Sequence, residues 1–198
     1  IKITKGLRKI GIDLRKKIFA QVHEAFGGKL RLIIAGGAAI DPNIVQDMQD
    51  VGLHTLQGYG LTECAPILGL NRDIYYKNNA AGLPLPEVDV KIIDKDENGI
   101  GEIIGKGDNV MLGYFEDEKA TKEALVDGYF HTGDLGYLDE DGFIIITGRK
   151  KNVIITNNGK NVFPEEIETL LNRSNYIKES VVYGREENGD TTIVAEVV

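Results

Sequence analysis

The stretch YFHTGDLGYLDEDGFIIITGRKKNVIITNNGKNVFPEE, Tyr129–Glu166, sets the organisation of the chain. HTGD places an acid, Asp134, immediately before a predicted strand at 135–138, and Gly133 flanks it. Asp139-Glu140-Asp141-Gly142 has the turn residues of a hairpin and leads into a second strand at 143–147. TGRKKN follows, with Arg149 on a predicted domain boundary. A further short strand (153–156) leads through a glycine-bearing loop to Pro164, which opens a helix predicted to end at Arg173.

Upstream, 7–26 carries Leu7, Ile10, Leu14, Ile18, Val22 and Phe26 near helical spacing, and Gly27-Gly28 ends that pattern. LRLIIAGG (30–37) is a predicted buried strand entering a glycine turn. Asp41-Pro42 starts a second helix ending near Gly52, and a strand at 53–57 runs directly into GYGLTE. Strand, helix, strand with no hairpin signal between them predicts parallel pairing across a helix. After Asn71 the elements shorten. Strands are predicted at 88–94, 101–106 and 110–114, with Asp96-Glu97-Asn98-Gly99 as a turn and a short helix at 116–125. Strands at 177–183 and 191–198, joined by GREENGD as a polar turn, complete the pattern.

The expected fold class is α/β: the C-terminal part of a parallel-sheet subdomain (1–82), a small antiparallel barrel-like subdomain (83–148) and the start of a C-terminal α+β domain (149–198), with a hinge near 149–151. The 198 residues, 42% hydrophobic and 27% charged, are globular in character and long enough to bury a core. No apolar run approaches a bilayer-crossing length and no signal-peptide pattern opens the chain. Ile1 in place of Met and Val198 inside a strand-like run give the expectation of a piece of a longer polypeptide.

Charge is distributed unevenly. Residues 1–31 hold nine Lys/Arg (Lys2, Lys5, Arg8, Lys9, Arg15, Lys16, Lys17, Lys29, Arg31) against Asp13 and Glu24, a net +7, which leaves −15 on the remainder of a chain whose total is −8. A basic helix of this kind suits either contact with an anionic membrane surface or a solvated face. The acidic remainder argues against nucleic acid as a partner. The single cysteine, Cys64, excludes an internal disulfide, fits a reducing, cytoplasmic compartment, and has no histidine-bearing pattern around it that would make it a nucleophile. His23, His54 and His131 lack metal-ligand spacing.

Several short motifs carry chemistry. In AGGAAI (35–40) two glycines after a strand allow close backbone approach to a flat ligand, or simply a tight turn. In GYGLTE (58–63) glycines flank Tyr59, and Thr62 and Glu63 follow at the C-terminal end of a parallel strand, the edge where open α/β sheets bind ligands. Tyr59 could stack on a base, Thr62 bond a phosphate oxygen, and Glu63 hold Mg²⁺, or the loop could only cap a turn. Asp134 could accept both hydroxyls of a ribose, and Arg149 could reach sugar or phosphate oxygens.

The order AGGAA, QGYGLTE, GEI-I-GKGDNVMLGYF, GYFHTGDLGYLDEDGFIIITGRKKNVII, GKNVFPEEIE resembles the adenylate-forming (AMP-binding) superfamily from about Leu30 onward. TGRKKNVIITNNGKNVFPEEIE is most similar to long-chain fatty acyl-CoA synthetases. The resemblance implies a two-step ligation that uses ATP, Mg²⁺ and coenzyme A to activate a fatty acid as acyl-AMP. It implies Gly36, Gly37 and Ala38 at adenine, Gly58, Tyr59, Gly60, Leu61 and Thr62 around the nucleotide, Glu63 on Mg²⁺, Asp134 and Arg149 on the ribose, and Lys151 at the hinge. Thr62, Glu63 and Lys151 are the candidates for a part in the catalytic cycle. Alternatives are a ligase that delivers acyl-AMP to a carrier protein and a non-catalytic nucleotide-binding module. By the same resemblance, the phosphate-cradling loop would precede Ile1 and the catalytic lysine would follow Val198, so the isolated chain is expected to be inactive. Asn157-Asn158-Gly159 departs from the usual Ala/Ser-Gly-Gly, and Gly105 and Asp108 from the Val and Pro frequent near the GEI motif.

Overall fold

The computed structural model describes residues 4, 6, 10–38, 40–187 and 189–198. Leu7 of the predicted helix face, Lys2, Lys5, Arg8 and Lys9 of the basic cluster, and Ala39 of AGGAAI lie outside them. The chain divides into two compact units, Ile1–Pro86 and Glu87–Val198.

In the first unit the predicted long helix is two short ones, α1 (Arg15–Ile18) and α2 (Ala20–Ala25), broken at Phe19. Neither has a side-chain cap or an acid in its first turn. The buried residue of α2 is polar His23, whereas Ile18, Val22 and Phe26 are exposed. A helix whose apolar stripe is not packed lacks the tertiary support that short helices need. Strand β1 (Ile33–Ala35) follows, then α3 (Pro42–Asp50), then β2 (Thr55–Tyr59). Helix α3 begins as its sequence predicts: the Asp41 carboxylate accepts from Asn43 N at 2.8 Å, with Pro42 in the first turn. Strands β1 and β2 are parallel, with Ile33 opposite Thr55 and Ala35 opposite Gln57. Strand β3 (Gly69–Leu70) pairs antiparallel with β2, and β4 (Leu83–Pro84) with β3. Val45, Leu53, Leu56 and Leu68 form the core of this unit.

The second unit contains an antiparallel sheet of β5 (Asp89–Ile93), β6 (Gly101–Lys106), β7 (Leu125–Val126), β8 (Tyr129–Leu138) and β9 (Ile144–Arg149), in the order β5-β6-β8, with β7 and β9 both pairing β8. Helix α4 (Glu118–Ala124) is capped by the Asp117 carboxylate, which accepts from Ala120 N. The two predicted turns use one device: Asp96 Oδ1 accepts from Asn98 N and Ile100 N, and Asp139 Oδ1 from Asp141 N and Phe143 N. Along β8, Phe130, Thr132, Asp134 and Gly136 are buried and alternate with half-buried neighbours. Phe143, Ile144, Ile103, Ile104 and Phe130 fill the core.

The strand predicted at 110–114 is a loop. Gly113 sits at φ +153° and Glu116 at φ +53°, which turn the chain, and Leu112 and Phe115 are almost fully exposed. An apolar run cannot form a strand where its backbone bends away from a partner. Beyond β9, β10 (Ile154–Ile155) and β11 (Asn161–Val162) form a hairpin, α5 (Pro164–Leu171) carries Glu165 and Glu166 in its first turn, and β12 (Ser180–Glu187) pairs with β13 (Asp190–Val197). The polar stretch predicted as a turn, GREENGD, is strand as far as Glu187, paired with Asp190. No helix among the described residues is long and apolar enough to cross a membrane.

Candidate functional site

The candidate residues fall in both units, and each group is described within its own. In Ile1–Pro86, β1 and β2 are parallel, so Gly36-Gly37-Ala38 and the residues from Gly60 to Thr62 leave the sheet from the same edge, while Gly58 and Tyr59 end β2 itself. The first loop passes close to the end of β2: a Cβ on Gly36 would lie 3.2 Å from Gly58 O. Gly60 is held by its own loop, since a Cβ there would lie 1.8 Å from Pro66 O. The fold-back is fixed by Leu68 N donating to Tyr59 O at 2.8 Å and Asn71 N to Gln57 O at 3.0 Å. Gly36, Gly37, Ala38 and Thr62 are exposed, Gly58, Leu61 and Glu63 half-buried, and Tyr59 is 7% exposed. Thr62 and Glu63 begin a single 3₁₀ turn that ends at Cys64.

Cys64 is fully buried, and burial with the Glu63 charge beside it pushes the thiol up to about 11. It therefore stays protonated near neutral pH. Ellman's reagent at pH 8 is expected to leave Cys64 unmodified in the native protein and to titrate it in 6 M guanidinium. Rapid native labelling would contradict this placement.

In Glu87–Val198, Asp134 lies inside β8 and not just ahead of a strand, and Arg149 is the last residue of β9. The two are direct cross-strand partners. Arg149 Nε donates to Asp134 Oδ1 at 2.9 Å; the acid is 8% exposed and the arginine 56%. The pair thus presents a buried carboxylate beneath a solvent-facing guanidinium. Lys151 is exposed in the turn that follows, where Asn152 N returns to Arg149 O at 2.9 Å.

Sequence inspection misses Glu102 on β6. Its carboxylate is 7% exposed and receives Lys150 Nζ at 2.9 Å and Gly133 N at 3.2 Å, with His131 Nδ1 at 3.7 Å. Burial drives the Glu102 carboxyl upward, but the Lys150 hydrogen bond and charge, the Gly133 N–H and His131 outweigh it and hold the group below its ordinary value. The available signal was an acid within Gly101–Gly105, a wholly buried run in which a charge needs a partner.

Residues 6–115, more than half of the chain, match the family model of AMP-binding enzymes. The chain belongs to that family. A long-chain-fatty-acid–CoA ligase of Salmonella typhimurium is 41% identical over 158 residues, which is 76% of this chain and 28% of that enzyme. The o-succinylbenzoate-CoA synthetase MenE of Bacillus subtilis, solved with its acyl-adenylate intermediate, superposes with a TM-score of 0.77 at 29% identity, covering 92% of this chain and 40% of that one. The same enzyme solved with ATP and a magnesium ion gives 0.75 at 32% identity, covering 84% and 36%. The mixed α/β architecture with its antiparallel sheet is the one these adenylate-forming enzymes share. The chain spans well under half the length of the relatives it matches.

Proposed function

We propose that this chain supplies nucleotide-binding residues to an ATP-dependent, AMP-forming carboxylate–CoA ligase whose acid is a long-chain fatty acid. The observation that carries the reading is the Asp134–Arg149 pair: a buried acid and an exposed guanidinium, side by side on adjacent strands, in a member of the AMP-binding enzyme family. In this role Asp134 accepts the two ribose hydroxyls and Arg149 donates to ribose oxygens above it. Gly36, Gly37 and Ala38 border the adenine, Tyr59 meets the base from Gly58–Leu61, and Thr62 donates its hydroxyl hydrogen to an α-phosphate oxygen. Lys151 opens the segment that follows the sheet.

Among the described residues no group of three or more His, Cys, Asp or Glu is arranged to hold a metal. One carboxylate on the loop, Glu63, fits Mg²⁺, an ion that takes one or two carboxylates and fills its other positions with phosphate and water. When bound, the ion neutralises charge on the departing phosphates. In the first step the carboxylate oxygen bonds to the α-phosphorus and pyrophosphate leaves. In the second the thiol sulfur bonds to the acyl carbon, its proton passes to solvent, and the bond from the acyl carbon to the phosphate oxygen breaks as AMP leaves. Positioning and charge neutralisation suffice for the first, without a protein acid or base.

The complete enzyme containing this chain, given ATP, Mg²⁺, palmitate and coenzyme A, is expected to release pyrophosphate and form palmitoyl-CoA. Pyrophosphate release without the thioester would identify a ligase that hands acyl-AMP to a carrier protein. AMP binding with no pyrophosphate release would identify a non-catalytic nucleotide-binding module.

A further inference from the structure

Asp134 does not sit in regular sheet. On one side of it Glu102 of β6 is opposite Leu135 of β8, and on the other Ile104 is opposite His131, so Ile103 alone faces Thr132, Gly133 and Asp134. Strand β8 bulges there, with Gly133 at φ +70°. Bulges re-aim side chains and leave backbone groups without ladder partners. On the β9 side Asp134 still pairs with Arg149, and the register shifts only beyond Leu135, so regular pairing leaves the Asp134 backbone without a tie on the β6 side.

Side chains take over that task. Thr132 Oγ1 donates to Ile103 O at 2.7 Å and accepts from Asp134 N at 3.0 Å. Gly133 is bound in a closed ring: its N–H donates to Glu102 Oε1 at 3.2 Å, its carbonyl accepts from Lys150 N at 2.9 Å, and Lys150 Nζ donates to Glu102 Oε2 at 2.9 Å. The ring holds the residue before Asp134 to the residue after Arg149. Two consecutive cations at the end of β9 are therefore tied to two acids, Arg149 to Asp134 and Lys150 to Glu102.

We infer that Glu102 is a positioning residue for the nucleotide site, fixing through Gly133 and Lys150 the bulge from which Asp134 and Arg149 are presented. The inference rests on the proposed role of Asp134. Glu102 touches no reacting atom. It acts by denying the bulge its alternative conformations, so that the carboxylate and guanidinium meet the ribose without first being ordered. The near-complete burial of Glu102 makes the ring strong, because a buried carboxylate that loses Lys150 is left with a desolvation cost.

Calorimetric titration of AMP into the protein and its Glu102→Gln, Glu102→Ala, Lys150→Met and Asp134→Ala variants tests this. Glu102→Gln, which keeps the shape and one oxygen but not the charge, is expected to weaken AMP binding about tenfold, and Lys150→Met by a similar factor. Glu102→Ala is expected to lose more. Placed in the Asp134→Ala background, Glu102→Gln is expected to cost clearly less affinity than in the wild type, because one of the two groups it positions is gone. General loss of structure would add its penalty in both backgrounds. In the complete enzyme the same variant is expected to raise KM for ATP and leave KM for the carboxylate unchanged. If Asp134→Ala weakens AMP binding but Glu102→Gln binds within twofold of wild type, or costs the same in both backgrounds, the positioning role is overturned and the nucleotide site stands. If Asp134→Ala binds AMP like wild type, the nucleotide assignment itself fails and the positioning role falls with it.

Discussion

Asp134→Ala is expected to raise the Kd for AMP about 100-fold. A carboxylate accepting two hydroxyls makes two charge-assisted hydrogen bonds, each worth about 1.5–3 kcal/mol when a buried partner would otherwise be lost. About 3 kcal/mol corresponds to roughly two orders of magnitude in Kd. The fold should survive the change. Asp134 is buried, but Arg149, with which it forms an ion pair, is more than half exposed, so water re-solvates the guanidinium and the contribution of that pair to stability is small. The affinity loss should therefore appear with an unchanged far-UV spectrum and little shift in the urea midpoint. Asp134→Asn, which keeps the shape without the charge, should fall between the two. An AMP affinity within threefold of wild type for Asp134→Ala would remove Asp134 from the nucleotide site.

The largest effect on stability is expected at Gly136. A Cβ there would lie 2.1 Å from Ile145 O and 3.0 Å from Ile103 Cδ1. Gly136 is opposite Gly101 on one side and Ile146 on the other, so β8 is hydrogen-bonded along both edges at this point. It cannot move away from β9 without breaking its ladder with β6. Its partner Gly101 is equally confined, with a Cβ falling 2.0 Å from Ile93 O. Overpacking against backbone with no escape belongs at the upper end of such costs, and Gly136→Ala is expected to destabilise the second unit by about 3 kcal/mol. Gly133→Ala provides the contrast: its φ is +70° but nothing lies within 4 Å of the added carbon, so only backbone strain of about 1 kcal/mol is expected. The chain has no tryptophan, so urea unfolding followed by tyrosine fluorescence reads both changes, and Tyr129 and Tyr137 lie on β8 itself. A larger penalty at Gly133 than at Gly136 would contradict the packing described.

Much of the fold is visible in short sequence patterns because the forces that set it are local. Asp41-Pro42 and Pro164 open helices where they stand, since capping and a fixed φ need only neighbouring residues. The Asp-rich turns at 96–99 and 139–142 close through their own side chains. The parallel pairing of β1 and β2 follows from the helix between them. Where local preference depends on distant support, the pattern misleads. The apolar periodicity of 7–26 is helical, yet α1 and α2 separate because Ile18, Val22 and Phe26 find no core. The apolar residues of 110–114 suit a strand, but the backbone turns at Gly113 and Glu116 and leaves them in a loop.

The candidate site divides along the same line. The sequence by itself determined which residues are the candidates: the GYGLTE loop, Asp134, Arg149 and Lys151, each recognisable within a few residues of chain. Only the tertiary structure decided that Asp134 and Arg149 are cross-strand partners, that the acid lies within a bulge, and that Glu102, from another strand, closes a ring through Gly133 and Lys150. The physical reason is that register and bulges are set by hydrogen bonds between strands far apart in sequence, and no local preference encodes which backbone group will be left for a distant carboxylate to satisfy.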